Sequence, residues 1–164
     1  MQLILIRHGI AIERDDAACP DEPDRYLTEE GVSRTHDAMA GLRALGVKPG
    51  LVYSSPFVRA AQTARIACEV LGFDPKKIVT TDALLPSGEP SDIFRELAQF
   101  EDETVACCGH APNLDEVIAY AVGARSTFTS LKKAGAACVE FDSIRAGAGE
   151  LLWLYPVGTL RRLK

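Results

Sequence analysis

The chain has 164 residues, enough for one domain with one core, and its 47% hydrophobic and 25% charged residues are ordinary for a globular protein. A net charge of −5 disfavours nucleic acid or an anionic membrane as the partner, because both call for a broad basic surface. The five cysteines are odd in number, irregularly spaced and without a CxxC pair, which predicts no disulfide framework and a reducing compartment; with three histidines they also give no zinc-ligand spacing.

The first predicted element is a strand over residues 2–7, an apolar run that ends unexpectedly in Arg7, His8 and Gly9. The run is too short for a signal-peptide core, and no stretch is long and apolar enough to span a membrane, so the expected location is the cytoplasm. Residues 13–27, rich in Asp, Pro and Glu, read as a loop. Thr28 is a plausible N-cap for a helix whose apolar stripe is Thr35, Ala38, Met39, Leu42 and Leu45, ended by Gly46 and Pro49. "GLVYSS" is a second strand. Ser55 and Pro56 fit the N-cap and N1 positions of a helix that stops at Gly72. "KIVTTDALL" reads as a short third strand and "PSDIFRELAQF" as a helix. "TVACCGH" is a fourth strand, followed by a helix opening at Pro112 and Asn113. "AACVEFD" and "GELLWLYP" predict an antiparallel hairpin joined by the glycine-rich "SIRAGAG".

Alternating strands and helices imply one α/β domain over residues 1–164. Three layers, α/β/α, would enclose a mostly parallel sheet, with the antiparallel hairpin at the C-terminus. In such sheets ligands bind beyond the carboxyl ends of the strands. Three of those ends carry Arg7 and His8, then Arg59, then His110. If the strands are neighbours, these four side chains converge. Arginine offers a planar fork for two phosphate oxygens. Arg59 also falls in a first helical turn, where backbone amides favour anions. His110, and the amides after it beginning at Ala111, are placed to bind phosphate oxygens, while Gly9 leaves room for a ligand beside the backbone. His8, beside arginines, is biased towards neutral imidazole, a nucleophile. Each residue alone has a blander reading as a structural or solvated side chain, and their joint placement is what favours a site. His36, with no such neighbours, reads as structural or exposed.

These motifs, "RHG", "SSPFVRAAQTA" and "GHAPN", together with "RYLTEEG", resemble those of the histidine phosphatase superfamily, which has the phosphoglycerate mutase-like fold. The resemblance covers nearly the whole chain, and the short length and "GHAPNL" look most like its SixA branch, which acts on phosphohistidine in proteins. It implies His8 as the phosphorylated nucleophile and Arg7, Arg59 and His110 as phosphate ligands. It adds Arg25, before "LT", as a phosphate or substrate contact. No metal or cofactor is implied. Many members carry a glutamate acid after the third strand, where this chain has Pro86 and Ser87; Glu89 or Asp92 could replace it by loop position. An imidazole leaving group, with a pKa around 6.5, needs little help from an acid. The gap therefore favours a phosphohistidine-bearing protein as substrate over a small phosphate ester. A phosphate-recognition module without turnover is the third reading, disfavoured by the two histidines.

Overall fold

The computed structural model describes residues 1–100 and 103–164. Six strands form one sheet in the order β3-β2-β4-β1-β5-β6. They are β1 (Gln2–Arg7), β2 (Leu51–Ser54), β3 (Val79–Thr80), β4 (Thr104–Gly109), β5 (Ala136–Glu140) and β6 (Glu150–Tyr155). The first four run parallel, and β5 and β6 form the expected antiparallel hairpin against β1.

Strand alternation decides which side chains enter which layer. Leu3 and Leu5 of β1 pack on one face with Val105 and Cys107 of β4. That face is covered by α3 (Pro90–Leu97) and α4 (Asn113–Val122), through Ile93, Leu97, Leu114 and Ile118. Ile4 and Ile6, with Ala106 and Cys108, pack on the other face. Helices α1 (Glu29–Ala44) and α2 (Val58–Leu71) cover it through Met39, Leu42, Ala64 and Ala67. Burial on both faces explains why β1 and β4 read as continuous apolar runs. The three-layer α/β/α fold is thus the observed one. Among the described residues, no helix is long and apolar enough to cross a membrane.

Several local boundaries differ from the sequence expectation. Thr28 does cap α1, its side chain accepting from the Gly31 amide. Leu45, however, lies at the exposed C-cap of α1, and Val47 enters the core in its place. Helix α2 starts at Val58, with Phe57 at the N-cap position, rather than at Pro56. The reason is that Ser55 still belongs to the sheet: its amide donates to the Cys108 carbonyl at 3.0 Å. The third strand shrinks to two residues, because the Thr81 side chain accepts from the Ala83 amide and turns residues 82–84 into a 3-10 helix. A short fifth helix, α5 (Val157–Leu160), precedes the basic tail, where the sequence pattern marks none. Leu160 is fully buried against α1, at a point where a side chain on Gly41 would meet its carbonyl. Arg161 and Lys164 pair with Asp37 there.

Candidate active site

The three motif-bearing strand ends are neighbours, since β2, β4 and β1 are adjacent in the sheet. Arg7 pairs with Gly109 in register, and the His8 amide donates to the Gly109 carbonyl at 3.0 Å. This places the His8 and His110 rings side by side, with centroids 5.0 Å apart. Arg59 enters from the first turn of α2, and its Nε donates to His8 Nε2 at 3.3 Å. Together with Arg7 they line a cavity of about 610 Å³ beyond the carboxyl ends of the strands. The expected convergence of Arg7, His8, Arg59 and His110 is therefore present. Arg59 is a buried residue, only 3% exposed, and not a solvated helix arginine.

The orientation of His8 follows from its two ring nitrogens. Nδ1 is 2.7 Å from the Gly9 carbonyl oxygen, an acceptor only, so Nδ1 carries the proton. Nε2, which accepts from Arg59, holds the ring's free lone pair. Burial lowers the His8 pKa to about 3; the Gly9 contact opposes the shift, and the charges of Arg59, Arg7 and Lys133 add to it. Burial likewise lowers His110 to about 3, followed by the influence of His8 and Arg59. His110 Nε2 lies 2.9 Å from the Ser55 hydroxyl, and the edge of its ring meets Phe57. Among the described residues, His110 Nδ1 and Arg7 Nε are buried without a hydrogen-bond partner. Unfilled polar atoms of this kind are expected where a ligand completes the network. Burial lowers the pKa of Arg7 and Arg59 as well, though arginine's intrinsic basicity keeps both cationic.

Both histidines are held neutral in the folded state, whereas imidazole in the unfolded chain titrates near 6.5. Between pH 6.5 and 3 the unfolded chain therefore binds more protons, and stability rises with pH across that window. Denaturant titrations should show stability falling as the pH drops from 6.5 towards 3. In the double variant His8→Phe, His110→Phe the slope in that window should flatten; an unchanged slope would contradict the assignment.

The remaining expected site residues sort differently. Ala111, Pro86 and Ser87 line the cavity. Gly9 is not among the lining residues: it faces α1, where an added Cβ would run into Thr35 Oγ1 and lie 3.2 Å from the Gly31 carbonyl oxygen. Its bare backbone thus serves the close approach of α1 rather than of a ligand. Arg25 lines the cavity, but its donors are engaged. Nε and Nη2 donate to the Ile12 carbonyl at 3.0 and 2.7 Å, and Nη1 meets Glu22. Arg25 therefore fastens the 13–27 loop. Neither Glu89 nor Asp92 lines the cavity: Glu89 is exposed at the start of α3, and Asp92 pairs with Arg95. His36 is exposed.

Glu22, which no motif marks, is central to the loop. Its carboxylate takes Arg59 Nη2 at 2.8 Å, Arg25 Nη1 at 3.2 Å and Arg14 Nε at 2.9 Å. Its backbone carbonyl accepts from Arg59 Nη1 at 2.8 Å. The Arg14 hydrogen bond, then the Arg25 hydrogen bond and charge and the Arg59 charge, pull its pKa to about 2. Only the spacing to Arg25 is visible in the sequence; the meeting with Arg59 is made by the fold. Asp115, at the start of α4, likewise escapes sequence reasoning: its Oδ1 accepts from Thr129 Oγ1 at 2.7 Å and from the Leu131 amide at 2.9 Å. The Leu131 carbonyl in turn accepts from Arg7 Nη1 at 2.8 Å.

Fold and site define an α/β protein with two neutral histidines, the half-buried Arg7 and the buried Arg59 gathered in a cleft at the carboxyl ends of parallel strands. The profile of the histidine phosphatase superfamily (branch 1) matches residues 3–85. An uncharacterised protein of Picosynechococcus sp. is 35% identical over 156 residues, covering 92% of this chain and 88% of that one. The chain belongs to the histidine phosphatase superfamily, branch 1. Its structure is similar to that of the protein histidine phosphatase SixA complexed with tungstate, with a TM-score of 0.86 at 24% identity, over 98% of this chain and 99% of that one. It is also similar to a phosphoserine phosphatase of Entamoeba histolytica, with a TM-score of 0.72 at 16% identity, over 95% and 97% of the two chains.

Proposed function

We propose that the protein is a phosphatase that removes the phosphoryl group from phosphohistidine on a partner protein through a phosphohistidine intermediate on His8. His8 Nε2 attacks phosphorus in line, and the P–N bond to the substrate breaks with its electron pair going to a ring whose other nitrogen already carries a proton from solvent, so that neutral imidazole departs. Arg7, Arg59 and His110 take the charge spread over the equatorial oxygens. Water then attacks phospho-His8, releases inorganic phosphate and restores the imidazole.

One observation carries the choice of substrate. Where a general acid would stand, the cavity wall is Pro86 and Ser87. The carboxylates among the lining residues are Glu13 and Glu22, and Glu22 is held ionised with a pKa of about 2. An alkoxide leaving group would find no proton donor in that carboxylate, whereas imidazole leaves with a pKa near neutrality. The short loops bordering the cleft also suit a side chain presented by another protein. The likeness to SixA, a protein histidine phosphatase, agrees with this reading.

A substrate panel tests it: a phosphohistidine phosphotransfer protein, phosphoserine, sugar phosphates and nucleotides, each with wild type and His8→Ala. The phosphohistidine protein is expected to be the best substrate by kcat/KM, by about 100-fold or more over any ester, the size of a general acid's contribution. Ester hydrolysis of equal efficiency would sink the substrate assignment and favour a small-ester phosphatase. Binding without phosphate release would favour a recognition module.

A further inference from the structure

Lys133 lines the same cavity and belongs to none of the motifs. The segment that carries it is built with unusual care. Leu131 is held from both sides, its amide by Asp115 and its carbonyl by Arg7 Nη1. The Ala134 amide donates to the carbonyls of Arg7 and His8, both at 3.1 Å, and the Gly135 carbonyl accepts from the Arg7 amide at 3.1 Å. Ala134 adopts a φ of +56°, a left-handed conformation uncommon for a residue with a side chain, which these bonds hold in place. Lys133 sits between Leu131 and Ala134, both 1% exposed, while its own side chain is 38% exposed at the cavity. Its ammonium is near enough to His8 to depress the basicity of that imidazole.

The present partner of Lys133 is Glu13, on the opposite loop, with Nζ to Oε1 at 3.6 Å and the carboxylate side chain 66% exposed. A pair so long and so exposed is weak. A phosphoryl dianion between Arg7 and Arg59 is a stronger attractor, and an ammonium on a flexible stem is an effective phosphate binder. Resting on the reading of the cavity as a phosphoryl site, we infer that Lys133 is a substrate-binding residue: its ammonium leaves Glu13 to take a phosphoryl oxygen, and Glu13 is a built-in competitor for it.

Calorimetric titration with inorganic phosphate, the reaction product, provides the test, on wild type, Lys133→Met, Lys133→Arg, Glu13→Gln, the double variant Glu13→Gln, Lys133→Met, and Arg59→Gln. Lys133→Met is expected to weaken phosphate binding about tenfold, and Lys133→Arg to stay within about threefold of wild type. Glu13→Gln should tighten binding about two- to threefold, and the double variant should bind like Lys133→Met alone. In turnover, Lys133→Met should raise KM more than it lowers kcat. If Lys133→Met binds phosphate like wild type while Arg59→Gln loses it, the inference fails and the phosphoryl site stands. If Lys133→Met and Glu13→Gln weaken binding equally, the pair is a structural tie across the cleft and the inference also fails. If neither Lys133→Met nor Arg59→Gln changes phosphate binding, the reading of the cavity itself is wrong. Thermal melts establish that each variant is folded; if Arg59→Gln is not, Arg59→Lys takes its place.

Discussion

His8→Ala is expected to abolish turnover, lowering kcat by at least about 10⁴-fold, the range seen when a covalent nucleophile is removed. The expectation rests on the ring's orientation. Nδ1 is held by the Gly9 carbonyl at 2.7 Å, and Nε2 faces the arginine that would bind the phosphoryl oxygens. With a pKa of about 3, the imidazole is neutral throughout the neutral range, and its Nε2 lone pair is free to attack. Acid quenching loses phosphohistidine, so the trap must be made under alkaline denaturing conditions with labelled substrate. Wild type should then carry label on His8, and His8→Ala should carry none. Label on another residue, or normal turnover in His8→Ala, would end the nucleophile assignment. His8→Gln should be as inactive as His8→Ala, which separates lost chemistry from lost packing.

Arg59→Ala is expected to reduce kcat/KM by about 10³-fold, equivalent to about 4 kcal/mol of transition-state stabilisation. Three contacts disappear at once: Nε to His8 Nε2 at 3.3 Å, Nη1 to the Glu22 carbonyl at 2.8 Å and Nη2 to the Glu22 carboxylate at 2.8 Å. The first bears on the nucleophile, and the other two hold the 13–27 loop over the cavity. Arg59→Lys should recover less than tenfold, because one ammonium cannot reproduce a fork that serves His8 and Glu22 together. Limited proteolysis should cut the 13–27 loop faster in Arg59→Ala than in wild type. Arg59→Ala with kcat/KM within threefold of wild type would remove Arg59 from the mechanism.

The meeting of His8 and His110 is legible in the sequence for a physical reason. An α/β sheet delivers its strand ends to one edge, so polar residues that break off apolar runs are brought together wherever the strands are adjacent. "LILIRHG" and "TVACCGH" are such runs, and β1 and β4 are in fact neighbours. Helix starts are less legible. Ser55 has the chemistry of an N-cap, yet its amide stays on the sheet and its hydroxyl meets His110, so α2 begins at Val58. Gly9 shows how a correct motif can conceal its reason, since the space its missing side chain leaves is filled by Thr35 and Gly31 of α1.

Local chemistry along the chain specified the layer order, the neutral histidine at the first strand end and the two arginines, because strand alternation and strand-end placement depend on short-range pattern. Tertiary structure decided the loop and its charges. Glu22 meets Arg59 across 37 residues of chain, and Leu131 meets Arg7 across 124. No periodicity encodes such contacts, which exist only once the sheet has closed and the segments 13–27 and 129–135 have settled on its edge. The same holds for the acid: Glu89 and Asp92 lie near the motif in sequence, and the fold turns both away from the cavity, leaving Pro86 and Ser87 on its wall.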